Sequence, residues 1–273
     1  MRITTLVENT VNKPDLIAEH GLSFLLETDD ETILFDTGQG YTIRHNAEKM
    51  GVDLSKVQKI ILSHGHYDHT GGLEKVVDLT GNVDIYSHPN IFDKKYAKED
   101  DGARYIGTPF TKESLESKGA RFHLNRKSIQ VAINIRTTGE IERNIDFEIG
   151  SDRLCVMQEG KLVKDDLMDD LSLIINGRER ISVILGCCHV GIINALYHIQ
   201  KMTDNSPVDT LVGGMHLIGA TDEKIDKTIE LLKEFNIKKL ALCHCTGMKA
   251  MLKLSQTFGN KLLFNNIGTR LKL

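Results

Sequence analysis

The feature of this sequence that most constrains its fold and chemistry is the run His64-Gly65-His66-Tyr67-Asp68-His69, which follows a short apolar segment. Three imidazoles and one carboxylate so close together form a donor set suited to Zn²⁺, Fe or Mn²⁺. Residues two apart on an extended loop project to the same side, so His64 and His66 can hold one ion while Asp68 and His69 turn toward a second. We therefore predict two divalent metal ions, with Zn²⁺ preferred and Fe or Mn²⁺ as alternatives. A loop of solvated polar residues is the alternative interpretation.

This run cannot complete two metal sites, so further ligands are expected elsewhere in the chain. His189, His216 and His244 each follow a predicted strand. Strand ends that carry glycine and histidine converge at one edge of a sheet in chains with alternating strands and helices. We predict His189 and His244 as metal ligands, and His216 as a catalytic residue that binds substrate or stabilises developing charge. A hydrogen-bonded structural histidine is the alternative at each position.

The cysteines and the charge limit the environment and the partners. Four of the five cysteines lie in Cys187-Cys188 and Cys243-His244-Cys245, beside histidines rather than spaced as a disulfide framework. Thiolate ligation of a metal is one interpretation, and a small buried hydrophobic residue is the other, which we favour for most of them. The grouping predicts a reducing, cytoplasmic environment. The formal net charge of −4 argues against a nucleic-acid or membrane partner.

The order of the predicted elements indicates a mixed α/β fold. Apolar runs predict strands at 22–27, 32–36 and 181–185, among others. Strand runs and strand-helix units occur in both halves of the chain, which favours two sheets packed together with helices on their outer faces. We expect one domain over residues 1–273, with an insertion or a lid at about 89–128, where charge is mixed and apolar runs are few. The oligomeric state is left open.

One single aspartate and two aspartate pairs outside the histidine run are candidates for contacts with the site. Asp36 follows a predicted hairpin strand, and it can accept a hydrogen bond from a ligand histidine or close an Asx turn. The pairs Asp165-Asp166 and Asp169-Asp170 are predicted to form a solvated acidic turn. Asp169 or Asp170 as an additional ligand is the alternative.

The stretch His64–Gly72 resembles the metal-binding signature of the metallo-β-lactamase superfamily. Further stretches, spread over nearly the whole chain, resemble the subgroup named 7,8-dihydropterin-6-yl-methyl-4-(β-D-ribofuranosyl)aminobenzene 5′-phosphate synthase, a label tied to methanopterin biosynthesis. These stretches are Glu19–Ser23, Phe35–Gly38, Gly139–Ile141, Gly186–Asn194, Gly213–Leu217 and His244–Gly247.

The resemblance implies an α+β fold, a four-layer αβ/βα sandwich of the metallo-β-lactamase type with a two-metal site at one edge. Hydrolases of that superfamily supply a bridging aspartate in a Gly-Asp pair after a strand, and the matching pair here is Gly186-Cys187. The resemblance therefore implies either that Cys187 is a metal ligand in place of the bridging carboxylate or that the bridge is missing.

The predicted function is that of a metal-dependent hydrolase or phosphodiesterase acting on an ester or phosphoester, in which Asp68 orients water or transfers its proton. The resemblance also implies the synthase step of methanopterin biosynthesis. A non-catalytic metal-dependent sensing or binding protein is the alternative. The expected partner is a small molecule, such as a phosphorylated pterin or a nucleotide-like compound, whose phosphate Arg104 or Arg143 can bind.

Overall fold

The computed structural model describes residues 1–148, 150 and 153–273. The strands among these residues are β1 Arg2–Val7, β2 Ser23–Glu27, β3 Thr32–Phe35, β4 Lys59–Ile61, β5 Val83–Ser87, β6 Lys95–Glu99, β7 Gly102–Tyr105, β8 Ala120–Leu124, β9 Gln130–Ala132, β10 Ile135–Thr137, β11 Leu154–Gln158, β12 Lys161–Lys164, β13 Ser172–Asn176, β14 Ile181–Leu185, β15 Val208–Gly213, β16 Ile237–Leu242, β17 Leu262–Phe264 and β18 Arg270–Lys272. The α-helices are α1 Ile43–Lys49, α2 Tyr67–Thr70, α3 Leu73–Thr80, α4 Lys112–Glu116, α5 Ile192–Met202, α6 Asp222–Leu232 and α7 Met248–Phe258.

The chain divides into two compact units. Unit 1 contains Met1–Arg126, the described residues of Gly150–Asp169, and Asn266–Lys272. Unit 2 contains the described residues of Lys127–Ile149, Asp170–Asn265 and Leu273.

Unit 1 is built on a mixed seven-stranded sheet with the order β18-β1-β2-β3-β4-β5-β8. Strands β18, β1, β2 and β3 pair antiparallel, and β3, β4, β5 and β8 pair parallel. One face packs on α1 and α3, whose buried side chains include Ile43, Ala47 and Val76. Side chains of the opposite face, such as Phe24 and Phe35, are also buried. A strand that is buried on both faces has a continuous apolar sequence, and β2 and β3 are two examples.

Unit 2 is built on a second mixed seven-stranded sheet with the order β17-β16-β15-β14-β13-β10-β9. Strands β14 to β17 pair parallel, and β9, β10, β13 and β14 pair antiparallel. Its core joins strand residues to the apolar faces of α5, α6 and α7, represented by Leu196, Ile225 and Leu254. The carboxyl ends of β14, β15 and β16 are therefore neighbours at one edge of this sheet.

The predicted mixed α/β class with two sheets is confirmed, and the boundary of β14 was predicted to the residue. The polar stretch at 89–128 contains β6, β7, α4 and β8. Strand β8 completes the sheet of unit 1, while β6 and β7 belong to a separate sheet with the order β12-β11-β6-β7. All four residues of β7 are exposed, so no hydrophobic alternation marked it in the sequence. The lid at 89–128 stays a prediction.

Among the described residues, no helix combines the length and the apolar character needed to cross a membrane.

Candidate metal-binding sites

The histidine run of unit 1 follows the parallel strand β4, at the carboxyl edge of its sheet. Gly65 separates the first two histidines, and a β-carbon at this position would collide with the carbonyl oxygen of Ile91 and press on the Lys95 side chain. Glycine is the residue that allows such a close approach of another backbone segment. The small residue between His64 and His66 is therefore required by packing.

The three histidine rings of this run are buried and lie against one another. His64 Nε2 lies 3.0 Å from His66 Nδ1, and the ring centroids of His64 and His69 are 4.2 Å apart. Burial lowers the pKa of His66 to about 3, with an opposing contribution from Asp68. The His66 ring is therefore neutral near pH 7, which is the form that binds metal.

The Nδ1 atoms of two of these rings are held by neighbouring polar groups. Asp36 Oδ2 lies 2.6 Å from His69 Nδ1, and Ser63 Oγ lies 2.9 Å from His64 Nδ1. Asp36 is fully buried and also accepts hydrogen bonds of 2.7 Å from Ser63 N and Ser63 Oγ. The predicted contact of Asp36 with a histidine of the run is confirmed. Such contacts orient the ring and leave Nε2 as the donor for a metal.

Replacing Asp36 with asparagine should weaken Zn²⁺ binding by about 10–100-fold, because the ring of His69 loses its charged acceptor. The measurement is competition with a chromophoric chelator. The matched control is Asp84→Asn, since Asp84 Oδ1 lies 2.8 Å from His123 Nε2 outside the run. Equal affinities in the two variants would show that Asp36 does not orient a ligand.

Asp68 connects the buried rings to a histidine that the sequence analysis did not single out. Asp68 Oδ2 lies 3.6 Å from His69 Nε2 and 3.2 Å from His20 Nε2. The Asp68 side chain is 9% exposed and the His20 side chain is 51% exposed. His20 lies in one of the stretches that carry the family resemblance, which was the only signal for it in the sequence.

A buried ion-pair network contacts the backbone of the run. Lys95 Nζ lies 2.8 Å from Asp165 Oδ2 and 2.9 Å from Asp169 Oδ1. The second oxygen of Asp169 accepts a 2.7 Å hydrogen bond from Gly65 N. Burial by itself would lower the pKa of Lys95, but Asp169 and Asp165 hold that pKa above its ordinary value, so the amine is charged.

The prediction of a solvated acidic turn is wrong for three of its four residues. Asp165, Asp169 and Asp170 are buried, and Asp166 is exposed. Both oxygens of Asp169 are engaged by the ion-pair network, which makes it an ion-pair partner rather than an additional ligand. Asp170 accepts a 2.8 Å hydrogen bond from Val190 N. These partners are distant in sequence, so local composition could not reveal them.

Unit 2 carries a second set of donors at the ends of its neighbouring parallel strands. Cys187 and His189 follow β14, His216 follows β15, and His244 follows β16. Cys187 Sγ lies 3.3 Å from His244 Nε2. The ring centroids of His189 and His216 are 4.0 Å apart. The structure therefore places together all four predicted site residues of this unit.

The loops that carry these donors contain non-glycine residues with left-handed backbone conformations. The φ angles are +58° at Cys188, +44° at His216 and +54° at His244. Each such conformation costs about 1–3 kcal/mol and persists only where surrounding contacts hold it. One of these contacts is the 3.0 Å hydrogen bond from Gly214 N to Gly186 O. Strain of this kind is common at functional sites.

All five cysteines are buried, and none of them forms a disulfide within the described residues. Burial raises the pKa of Cys188 well above its ordinary value, and Asp170 and Glu148 act in the same direction. The Cys188 thiol is therefore protonated and packs as a small apolar group. The ligand role of Cys187 stays a prediction.

The donor chemistry of each unit fits a divalent metal. Unit 1 offers buried imidazoles and a carboxylate, and unit 2 offers imidazoles and a thiol that binds metal as the thiolate. His216 Nδ1 is buried and has no hydrogen-bond partner among residues 1–148, 150 and 153–273. Buried polar atoms in this state call for an explanation, and a bound ligand is one.

Comparison with known proteins extends these observations. The sequence model of the metallo-β-lactamase superfamily matches residues 16–155. A Methanocaldococcus jannaschii protein named 7,8-dihydropterin-6-methyl-4-(beta-D-ribofuranosyl)-aminobenzene-5'-phosphate synthase is 36% identical over 266 residues, which cover 92% of this chain and 89% of that protein. A second protein of this archaeon, named as uncharacterized, is 34% identical over 273 residues and covers 97% of this chain and 98% of its own length.

Among solved structures, Tm1679 is described as a metal-dependent hydrolase of the β-lactamase superfamily. It superposes with a TM-score of 0.85 at 28% identity and covers 100% of this chain and 99% of its own. The predicted fold class is thereby confirmed. Because the superfamily match includes the His64–His69 run and the relatives align along almost the whole sequence, this chain belongs to the metallo-β-lactamase superfamily.

Proposed function

We propose that this chain is a metal-dependent enzyme that cleaves an ester or phosphoester bond in a phosphorylated small molecule. The observation that carries the proposal is the position of Asp68, whose carboxylate lies between the buried His69 ring and the half-exposed His20 ring. A purely structural histidine cluster has no need of a buried carboxylate that also contacts a half-exposed histidine. The proposed ligands are His64, His66, Asp68 and His69 of unit 1 and Cys187, His189 and His244 of unit 2.

The residues of unit 1 divide the proposed chemistry among them. Divalent ions, when bound, supply Lewis acidity and make water nucleophilic near neutral pH. Asp68 orients the water and accepts its proton. His20 holds the Asp68 carboxylate through the 3.2 Å contact of its Nε2 with Oδ2. Asp36 and Ser63 hold the rings of His69 and His64, so these groups need little rearrangement during the reaction.

Arg104 is the proposed phosphate-binding residue, rather than Arg143. Its guanidinium carbon lies 5.9 Å from the ring centroid of Tyr67, which belongs to the histidine run. The side chain is half exposed and pairs with Glu99 at 2.6 Å. A phosphate group can replace this exposed carboxylate partner and form two parallel hydrogen bonds with the guanidinium.

The relative named as a synthase supports a second candidate reaction. Its 36% identity extends over 92% of this chain, and its name describes a dihydropterin joined to a ribofuranosylaminobenzene phosphate. The proposed substrate class, a phosphorylated pterin or its fragments, serves both candidates. The proposed metal ligands serve both candidates, whereas the proton transfer from water to Asp68 belongs to the hydrolytic candidate alone.

Elemental analysis coupled to two assays tests the proposal. One assay measures hydrolysis of bis(p-nitrophenyl) phosphate with and without Zn²⁺, Mn²⁺ or Fe²⁺, and the other measures formation of the compound in the relative's name. Two ions per chain with metal-dependent hydrolysis would support the esterase proposal. Formation of the pterin product alone would favour the synthase. Bound metal with neither activity would favour the sensing or binding protein.

Replacing His20 with alanine should lower kcat by about 10–100-fold with little change in KM. Without His20 the Asp68 carboxylate loses the orientation in which it accepts a proton from the attacking water. His20→Gln should recover most of the activity, since an amide N–H can still donate to Asp68. His45→Ala is the matched control, because His45 Nε2 contacts Asp15 O outside the run. A change in KM alone would contradict the positioning role.

A further inference from the structure

The loop between β1 and β2 carries His20, and Asn9 of the same loop contacts the ring nitrogen that faces away from Asp68. Asn9 Nδ2 lies 3.4 Å from His20 Nδ1, while His20 Nε2 lies 3.2 Å from Asp68 Oδ2. We propose that Asn9 is a positioning residue, which holds the His20 ring in the tautomer and orientation that present Nε2–H to Asp68. The kinetic consequence of this inference rests on the proposed function, whereas the tautomer can be observed without turnover.

The orientation of the Asn9 amide is determined by the backbone of Gly21. Gly21 N donates a 3.2 Å hydrogen bond to Asn9 Oδ1. Because Gly21 is buried, its N–H needs an acceptor. The reversed amide would place an NH2 group against this N–H, so that two donors would face each other. Asn9 Oδ1 therefore faces Gly21, and the NH2 group faces the His20 ring.

This amide orientation determines which nitrogen of His20 carries the proton. An NH2 group only donates, so the ring nitrogen that it contacts must accept. In a neutral imidazole one nitrogen accepts and the other carries the proton. His20 Nδ1 is then the bare nitrogen, and Nε2 carries the proton that it donates to Asp68 Oδ2. In the other tautomer the lone pair of Nε2 would face the carboxylate, which is repulsive.

Glu19, the neighbour of His20, fixes one side of the loop. Its carboxylate accepts hydrogen bonds from the four successive backbone amides of residues 39–42, at 3.0, 3.3, 2.9 and 3.0 Å. Gln39 Nε2 also donates to His20 O. The backbone that carries the His20 ring is therefore anchored to the turn after β3.

The other side of the loop packs on the backbone of Asp68 itself. Leu22 N donates a 3.2 Å hydrogen bond to Asp68 O. A β-carbon at Gly21 would lie 2.6 Å from the same oxygen, so this close approach requires glycine. The backbones of His20 and Asp68 are thus fixed relative to each other. What decides the contact of their side chains is the orientation of the ring, which Asn9 holds.

Nitrogen NMR of the full chain tests the tautomer directly. Protonated and bare ring nitrogens of histidine have well-separated nitrogen shifts, and the His20 signals among the 11 histidines are those missing from His20→Gln. At mildly alkaline pH, where histidine rings are ordinarily neutral, we expect a bare Nδ1 and a protonated Nε2 in the unmodified chain. Asn9→Asp should protonate Nδ1, because a carboxylate only accepts. A protonated Nδ1 in the unmodified chain, or a bare Nδ1 in Asn9→Asp, would overturn the inference.

A double-mutant cycle tests whether Asn9 acts through His20. Asn9→Ala should lower kcat about tenfold with little change in KM, the lower end of the range for losing an outer partner of a metal site. In a His20→Ala background the same substitution should cause no further loss, because the ring that Asn9 holds is absent. Initial rates on bis(p-nitrophenyl) phosphate at saturating metal provide the measurement.

Asn46→Ala is the matched control for the cycle. The Asn46 amide anchors the same loop, since its Oδ1 accepts from Ile17 N and its Nδ2 donates to Ile17 O, each at 2.9 Å. Any loss of turnover in Asn46→Ala should therefore be equal in the two backgrounds. An equal loss for Asn9→Ala would show that Asn9 also acts only as a loop anchor, contrary to the inference. If the unmodified chain shows no hydrolysis, the proposed function fails, and the NMR spectra still decide the role of Asn9.

Discussion

Turnover is expected to fall by about 10²–10⁴-fold when Asp68 is replaced by asparagine, the range typical for a residue that transfers a proton in the transition state. The substitution keeps the size of the side chain and its contact with His20, but removes the charge that accepts the proton. His66→Ala should abolish turnover as well, because it removes a proposed ligand. Initial rates on bis(p-nitrophenyl) phosphate at saturating metal provide the measurement.

Both variants should remain folded. The His66 ring is neutral, since burial lowers its pKa to about 3, so its removal leaves no unpaired charge. Asp84→Asn is the matched control for Asp68, because both carboxylates contact a histidine in unit 1 and only Asp68 belongs to the run. Wild-type rates in both Asp68→Asn and His66→Ala would refute the assignment of the site.

Replacing Lys95 with methionine is expected to lower the free energy of unfolding by about 3–5 kcal/mol, the usual effect of removing one partner of a buried ion pair. The Lys95 side chain is 1% exposed, and its loss leaves Asp165 and Asp169 buried without their counter-charge. Urea unfolding of the metal-free protein provides the measurement. Zn²⁺ affinity should also fall, since Asp169 holds Gly65 N between two proposed ligands.

Lys118→Met is the matched control for Lys95→Met. Lys118 also contacts two carboxylates, Glu74 and Asp78, each at 2.8 Å, but its side chain is 34% exposed. Water and salt screen such a pair, so the change in stability should be far smaller. Adding Asp165→Asn and Asp169→Asn to Lys95→Met should restore part of the lost stability, because neutral amides need no counter-charge. Equal losses for Lys95→Met and Lys118→Met would show that burial does not strengthen the network.

The buried network also accounts for the sequence spacing of the histidine run. Gly65 cannot carry a β-carbon, because the carbonyl oxygen of Ile91 and the side chain of Lys95 occupy the space. Its amide is held by Asp169 at 2.7 Å. The conformation between His64 and His66 is thus determined by groups that are not donors to a metal.

The sequence by itself determined the class of fold and the position of the histidine run. Apolar runs predicted β2, β3 and β14, because strands buried on both faces carry a continuous hydrophobic signal. The His64–His69 run could be interpreted alone, since its donors are adjacent in the chain. The exposed strand β7 carries no such signal, and sequence reasoning missed it.

Only the tertiary structure decided which distant residues meet these elements. The sequence predicted Asp165 and Asp169 to lie in a solvated turn, because an acidic pair in a loop is usually exposed. In the structure both carboxylates contact Lys95, which precedes them in the sequence by 70 and 74 residues. The contact of His20 with Asp68 and the grouping of His216 with Cys187 and His189 likewise depend on how strand ends converge. The identity of a residue limits the bonds it can form, but the fold determines its partners.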